Sequence, residues 1–180
     1  MKLPSSTAIR MALNAPIHEC LQPEEFFEIG IGNVIVTRRT AKNEFLMAAF
    51  LIDVFCLGIK NAFLDLMSES KYEIYINELS QRQTLTSIHP SCARKLVEGA
   101  ETYARDLGFS PHKDYRSAKN IFQDIEKDAC PRSFEFGKDG QPLYFSGPYD
   151  SPAFIKNVMK KLHDKCGPDG FDFMTQMDGF

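Results

Sequence analysis

The 180 residues are 43% hydrophobic and 25% charged with a formal net charge of -3, a globular composition with enough apolar surface for one core. That balance excludes a disordered chain and gives no general attraction to nucleic acid or anionic lipid, so either partner would need a local basic patch. Five cysteines, Cys20, Cys56, Cys92, Cys130 and Cys166, are odd in number and lack any C-x-x-C pair, which predicts reduced thiols and a cytoplasmic protein.

In chain order, residues 1–28 are punctuated by Pro4, Pro16 and Pro23, and Arg10 and His18 interrupt any run that could serve as a signal peptide. NVIVTRR and EFLMAAFLID are rich in β-formers and separated by the polar TAKN, which predicts an antiparallel hairpin. That connection sets Asp53 opposite Gly30, within GIG. FLIDVFCLGIK continues the second strand, with Phe50, Ile52, Val54 and Cys56 on one face and Leu51, Asp53, Phe55 and Leu57 on the other. Residues 45–67 are apolar enough to suggest a membrane span, but Asp53 and Lys60 would cost roughly 2.5–3.5 kcal/mol each there, so no membrane partner is expected.

SESKYEIYINELSQRQ places Tyr72, Tyr75, Ile76 and Leu79 at helical spacing with Ser70 as the cap; a strand through YEIYI is the alternative. HPSCARKLVEGAETYARDLGF is the clearest helix, with Pro90 at its first position and Gly108 at its end. Another helix starts near Asp114 and turns Tyr115, Ala118, Ile121, Phe122 and Ile125 inward. RSFEFGKDGQPLYFSG reads as a second hairpin, SPAFIKNVMKKLHDKCG as a last helix capped by Ser151, and 168–180 as a flexible tail. The predicted fold is α+β, antiparallel β-hairpins packed against three to four helices in a single domain over 1–180, whose weakest point lies near 83–89.

Three stretches, APIHECL, FLIDVFCLGIKNAF and ARKLVEGAETYARDLGFSPHKD, together resemble a family of small uncharacterised bacterial proteins marked by F-L-x-D-x-x-C-L-G-x-K-x-A-F and G-F-x-P-H-x-D. The likeness spans residues 12–120 and departs at Asn61, where the pattern often reads Asp. It implies a bacterial protein and names no reaction.

Asp53 is the first candidate, because a carboxylate among hydrocarbon side chains needs a cation, backbone donors, a ligand or a proton. An internal partner, Lys60, Arg38 or the next backbone turn, is the simpler answer. The functional one is a site in which Gly30 and Gly32 leave room for a ligand that Lys60 also reaches. Cys56 points from the apolar face, where cysteine behaves as a small hydrophobe. GFSPHKDY sets His112 two residues before Asp114, residue types suited to acid–base work and equally to a cap beside a surface imidazole.

Cys56 with His112 and Asp114 supplies the types for a thiol nucleophile without its local signature. His18, Cys20, Cys56 and His112 lack the closely paired spacing of structural zinc, so neither metal nor cofactor is expected. A P-loop, a Rossmann fingerprint, G-x-S-x-G and H-E-x-x-H are absent from the sequence.

The candidate catalytic residues are thus Asp53, His112 and Asp114, with Lys60, Gly30, Gly32 and Cys56 as ligand-binding neighbours. The expected function is a small enzyme or binding domain whose cleft takes an anionic small molecule or nucleotide. The alternative is a noncatalytic protein- or nucleic-acid-interaction module with purely structural polar residues. Its basic surfaces would be Lys156, Lys160, Lys161 and Lys165 on the last helix or Arg38, Arg39 and Lys42 at a hairpin tip, though solvated faces explain both.

Overall fold

The hairpin read from NVIVTRR and EFLMAAFLID lies at the centre of the computed structural model, which describes residues 6–174. Ahead of it come α1 (Ser6–Ala12), β1 (Ile17–Pro23) and the short α2 (Phe26–Ile29). The hairpin itself is β2 (Ile31–Arg39) and β3 (Glu44–Asp53), followed by β4 (Gly58–Ser68), α3 (Glu69–Ser80), β5 (Leu85–Ser87), α4 (Pro90–Asp106) and α5 (Tyr115–Ala118). Two 3-10 turns, Lys119–Phe122 and Lys127–Ala129, lead to β6 (Leu143–Phe145), α6 (Pro152–Cys166) and β7 (Asp172–Met174). The main sheet is antiparallel with strand order β4-β3-β2-β1-β5, and the fold is α+β.

Alternation along the two central strands explains why both are apolar throughout. Val34, Val36, Leu46, Ala48, Phe50 and Ile52 pack on one face against Ala93, Leu96, Val97 and Ala100 of α4 and Ile121 and Phe122 beyond α5. Ile35, Phe45, Met47 and Ala49 pack on the other face beneath Tyr72 of α3, with Tyr75, Ile76 and Leu79 at its margin. Each face therefore has its own helical cover, and a strand covered on both faces needs no polar side. YEIYI is helical, and α3 starts two residues earlier than expected, after Ser68 in extended backbone instead of Ser70. The stretch 83–89 supplies β5, which pairs with β1 at the sheet edge.

Several expectations are corrected. FLIDVFCLGIK does not run on as a strand through Cys56: β3 stops at Asp53, residues 54–57 reverse the chain, and β4, missed in the sequence, begins at Gly58. Gly58 has φ of +65°, and a Cβ there would come within 2.5 Å of the Ala104 Cβ and 2.8 Å of the Ala100 carbonyl oxygen, so only glycine suits both the turn and the approach of α4. The pairing also moves by one residue, with Asp53 opposite Ile31 instead of Gly30.

The second hairpin does not form. Only the Lys138–Gln141 bridge remains of it, while β6 pairs in parallel with β7. The competing partner is the 54–57 turn: Gly137 N–H donates to the Val54 carbonyl at 2.9 Å and Leu143 N–H to the Phe55 carbonyl at 3.2 Å. Strand β7 also orders part of the segment read as a flexible tail; residues 175–180 lie outside the described residues.

The thiols are not all reduced. Cys92 and Cys130 form a disulfide, their Cα atoms 4.9 Å apart although 38 positions separate them in sequence. Cys20 and Cys56 are free and buried, and Cys166 is free and half-buried. Spacing hid the pair because the first turn of α4 and the segment after Lys127–Ala129 meet only in three dimensions.

The helix read from Asp114 onward is cut to α5 plus a 3-10 turn, although Tyr115, Ala118, Ile121, Phe122 and Ile125 do face inward. Arg38 accounts for part of this. Far from decorating a hairpin tip, it is 2% exposed, and its Nε donates to the Ile121 carbonyl at 2.9 Å, its Nη1 to the Ala15 carbonyl at 2.7 Å and its Nη2 to Asp124 Oδ1 at 2.6 Å. In a continued α-helix the Ile121 carbonyl would accept from Ile125, whose N–H instead reaches Phe122.

Candidate functional site

Asp53 ends β3 and holds the reversal that follows. One carboxylate oxygen accepts from the Phe55 and Cys56 N–H groups, both at 2.9 Å. The residue is 8% exposed, and burial raises its carboxyl above the usual 3.8, while the N–H groups of Cys56, Leu57 and Phe55 and the charge of Lys60 act the other way. This is the Asx-turn arrangement, in which a short acidic side chain replaces a backbone acceptor.

The space expected around Asp53 is occupied. A Cβ on Gly30 would fall 2.1 Å from the Phe55 ring, and one on Gly32 would fall 2.4 Å from Pro23. Gly30 itself closes α2 in the left-handed region at φ 85°, its N–H donating to the Phe26 carbonyl. Side chains of the protein thus fill the room that these glycines leave. Cys56 is fully buried with Leu57, Ala104, Leu107, Tyr144 and Leu162, and burial pushes its thiol far above the ordinary 9.0, the opposite of what a nucleophile needs.

His112 is tied to β4, one residue past the Gly58 that pairs with Asp53. Its backbone N–H donates to the Ile59 carbonyl of β4 at 2.9 Å, its Nδ1 accepts from the Asp114 N–H at 3.3 Å, and Asp114 Oδ2 stands 3.7 Å from the same nitrogen. His112 also lines a surface cavity of about 330 Å³ with Glu101, Arg105, Lys113, Arg116 and Lys119, which holds neither Asp53 nor Lys60. Asp53 thus belongs to a buried turn, and His112 to the border of an open groove.

The groove runs between α4 and the 111–120 segment. An adjoining cavity of about 540 Å³ is lined by Lys113, Arg116, Ser117, Lys119 and Asn120, with no carboxylate among them. A third, of about 580 Å³, shares Glu101, Tyr115 and Lys119 with the first and continues along α4 past Gly99 and Tyr103 to Phe136. Glu101 is held by Arg105, whose Nη1 reaches both carboxylate oxygens at 3.1 Å. Among the described residues no carboxylate pairs with Lys113, Arg116 or Lys119, and Lys119 Nζ sits 5.7 Å above the Tyr115 ring. With Nδ1 facing the Asp114 N–H, Nε2 is the His112 ring nitrogen without a partner among the described residues.

Sequence reading missed Arg105, Lys113, Arg116 and Lys119. The signal was the three-residue spacing of Lys113, Arg116 and Lys119, which places them near one another along a helical turn. Conversely, Lys161 of the supposed basic face donates to the Gly108 carbonyl at 2.9 Å and covers Phe109, so it closes α4 instead of awaiting a partner.

Comparison with protein-family models, curated proteins and solved structures yields no match, so the groove is read from its own chemistry. Among the described residues, no group of three or more His, Cys, Asp or Glu could hold a metal ion, and no helix is long and apolar enough to cross a membrane.

Proposed function

We propose that this chain binds a multiply charged anionic small molecule, such as a phosphate compound, in the groove between α4 and residues 111–120. One observation carries the reading: Lys113, Arg116 and Lys119 converge, without carboxylate partners, on a cavity lined by no acid. Like charges held together on one surface are unfavourable to the free protein and are relieved by an anion. His112 borders the groove from the side, and Asn120 adds an amide donor, while the Ser117 hydroxyl is spent on the Asp114 carbonyl at 2.8 Å. Asp114, bound to its own turn, positions the imidazole.

Titration with inorganic pyrophosphate, followed by amide chemical shifts, tests the proposal. Shifts should centre on residues 112–120 and weaken as salt rises, because the Debye length falls from about 10 Å at 0.1 M to about 3 Å at 1 M. Shifts scattered over other lysines, or none, reject it. For the compartment, the Cys92–Cys130 bond argues for oxidising surroundings over the cytoplasm expected from the odd cysteine count.

The interaction-module alternative draws on a different surface. Ile29, Phe145, Phe173 and Met174 are exposed around a cavity of about 450 Å³ near the β6–β7 pair, an apolar patch of the kind that protein contacts use. Absence of any anion response in the groove would favour it.

A further inference from the structure

We infer that the anion is carried on a planar heteroaromatic ring bearing an amino group, as in a mononucleotide, with the ring seated on Tyr103 and Phe136. This rests on the anion-binding reading of the groove and adds its second half. Phe136 lies directly on the backbone of α4, since a Cβ at Gly99 would stand 2.8 Å from its ring. Tyr103, one turn further along, stacks on Phe136 with ring centroids 5.7 Å apart and planes inclined by 23°. Both rings are half-buried and line the cavity of about 580 Å³. Stacked on each other, they leave an outer ring face bordering the cavity, a surface of the kind on which a base stacks.

The two ends of the groove differ in charge. Around the aromatic pair the rim carries Thr102, Asp106 and Asp128, and among the described residues neither acid is engaged by a cation, while Lys95 on the same rim donates to the Cys130 carbonyl at 3.2 Å. Thr102 and the two acids are acceptors for ring N–H and exocyclic amino groups. Glu98 there is already bound by Arg94 at 2.8 Å and Lys127 at 3.4 Å. At the other end stand Lys113 and Arg116, with Lys119 lining all three cavities and joining the two halves. From Gly99 to Arg105 the helix axis advances about 9 Å. That separation leaves room for a sugar between base and phosphate.

The test compares AMP with ribose 5-phosphate by calorimetry on the full chain. AMP should bind at least tenfold more tightly, since base stacking on one aromatic side chain is worth about that factor. Tyr103→Leu, which keeps apolar bulk against the neighbouring core, should abolish the preference and leave ribose 5-phosphate binding unchanged. Should that variant fail to melt cooperatively, Asp106→Asn, at an exposed position, should still narrow the preference for AMP. Arg116→Ala should weaken both ligands. Equal binding of AMP and ribose 5-phosphate by the wild type overturns the aromatic subsite while the anion site stands. If neither phosphate binds, the anion reading fails and takes the subsite with it.

Discussion

The 53–58 turn and the 111–120 segment use the same local device to opposite ends. In each, a side-chain acceptor captures backbone N–H two or three residues ahead: Asp53 takes those of Phe55 and Cys56, and His112 takes that of Asp114. Around Asp53 every remaining volume is filled, by Phe55 over Gly30 and by Cys56 and Leu57 in the core. Around His112 the polar groups left over, its Nε2 and the cations of Lys113, Arg116 and Lys119, border open cavities. The acid most conspicuous in sequence is thus the one with least left to offer a ligand. Capacity for binding lies in groups that folding leaves unpaired.

The sharpest way to break this contrast is Asp53→Ala. Two buried N–H groups would lose their acceptor at roughly 1–3 kcal/mol each, so a loss near 4 kcal/mol is expected in urea unfolding. Pyrophosphate binding should persist wherever the variant is still folded. A loss under about 1 kcal/mol would show that the turn does not depend on its carboxylate.

The disulfide comes next, because it fastens the 3-10 turn that carries Lys127 and Asp128 onto α4. Closing a loop of 38 residues stabilises by up to about 4 kcal/mol in the chain-entropy account. Replacing Cys92 and Cys130 together by alanine should lower the unfolding free energy by an amount in that range and the melting temperature with it. Thiol counting under denaturing, non-reducing conditions should find three free thiols, Cys20, Cys56 and Cys166; five would refute the bond.

These two regions also mark how far sequence reading reached. The β2–β3 hairpin, α4 and α6 were legible because periodicity, capping residues and terminal glycines agree there. The second hairpin was misread because LYF pairs with residues almost thirty positions away, and nothing local tells a strand which edge it will join. Arg38 was placed on a tip because the apolar strand around it gives no hint of the carbonyls of Ala15 and Ile121 above it. Of the site, His112 and Asp114 were legible as a pair, but the groove depends on α4 passing beside them, a tertiary fact. Asp53 was correctly singled out as a residue needing partners; those partners were the backbone N–H groups two and three residues on, of Phe55 and Cys56.

Smaller effects should follow from the groove. Lys113→Ala, Arg116→Ala and Lys119→Ala each remove one exposed cation that pairs with no acid, so stability should stay within about 0.5 kcal/mol of wild type. Pyrophosphate affinity should fall for each, and about tenfold or more for Arg116, whose guanidinium can contact phosphate through two donors. Were the three variants to bind normally, the open half of the comparison would collapse. Lys119→Ala carries an added consequence, since this side chain also covers Tyr115.

The finest test concerns the charge on Asp53. Its carboxyl is raised above 3.8 by burial, so between that value and the folded one the native state holds a proton that the unfolded chain releases. Stability from this group is accordingly full below pH 3.8 and is lost as pH rises through the raised folded value. Asp53→Asn keeps an oxygen for the Phe55 and Cys56 N–H groups but has no proton to lose. The difference in unfolding free energy between wild type and Asp53→Asn should therefore shift in favour of the variant as pH climbs from 3.8 toward neutrality, reaching a plateau once Asp53 is ionised. A shift of the opposite sign would mean that the N–H groups and Lys60 outweigh burial, and that Asp53 sits in a polar pocket instead of a sealed turn. That outcome would remove the distinction between the two regions at its root, because an acid stabilised in its charged form could also receive a cationic ligand.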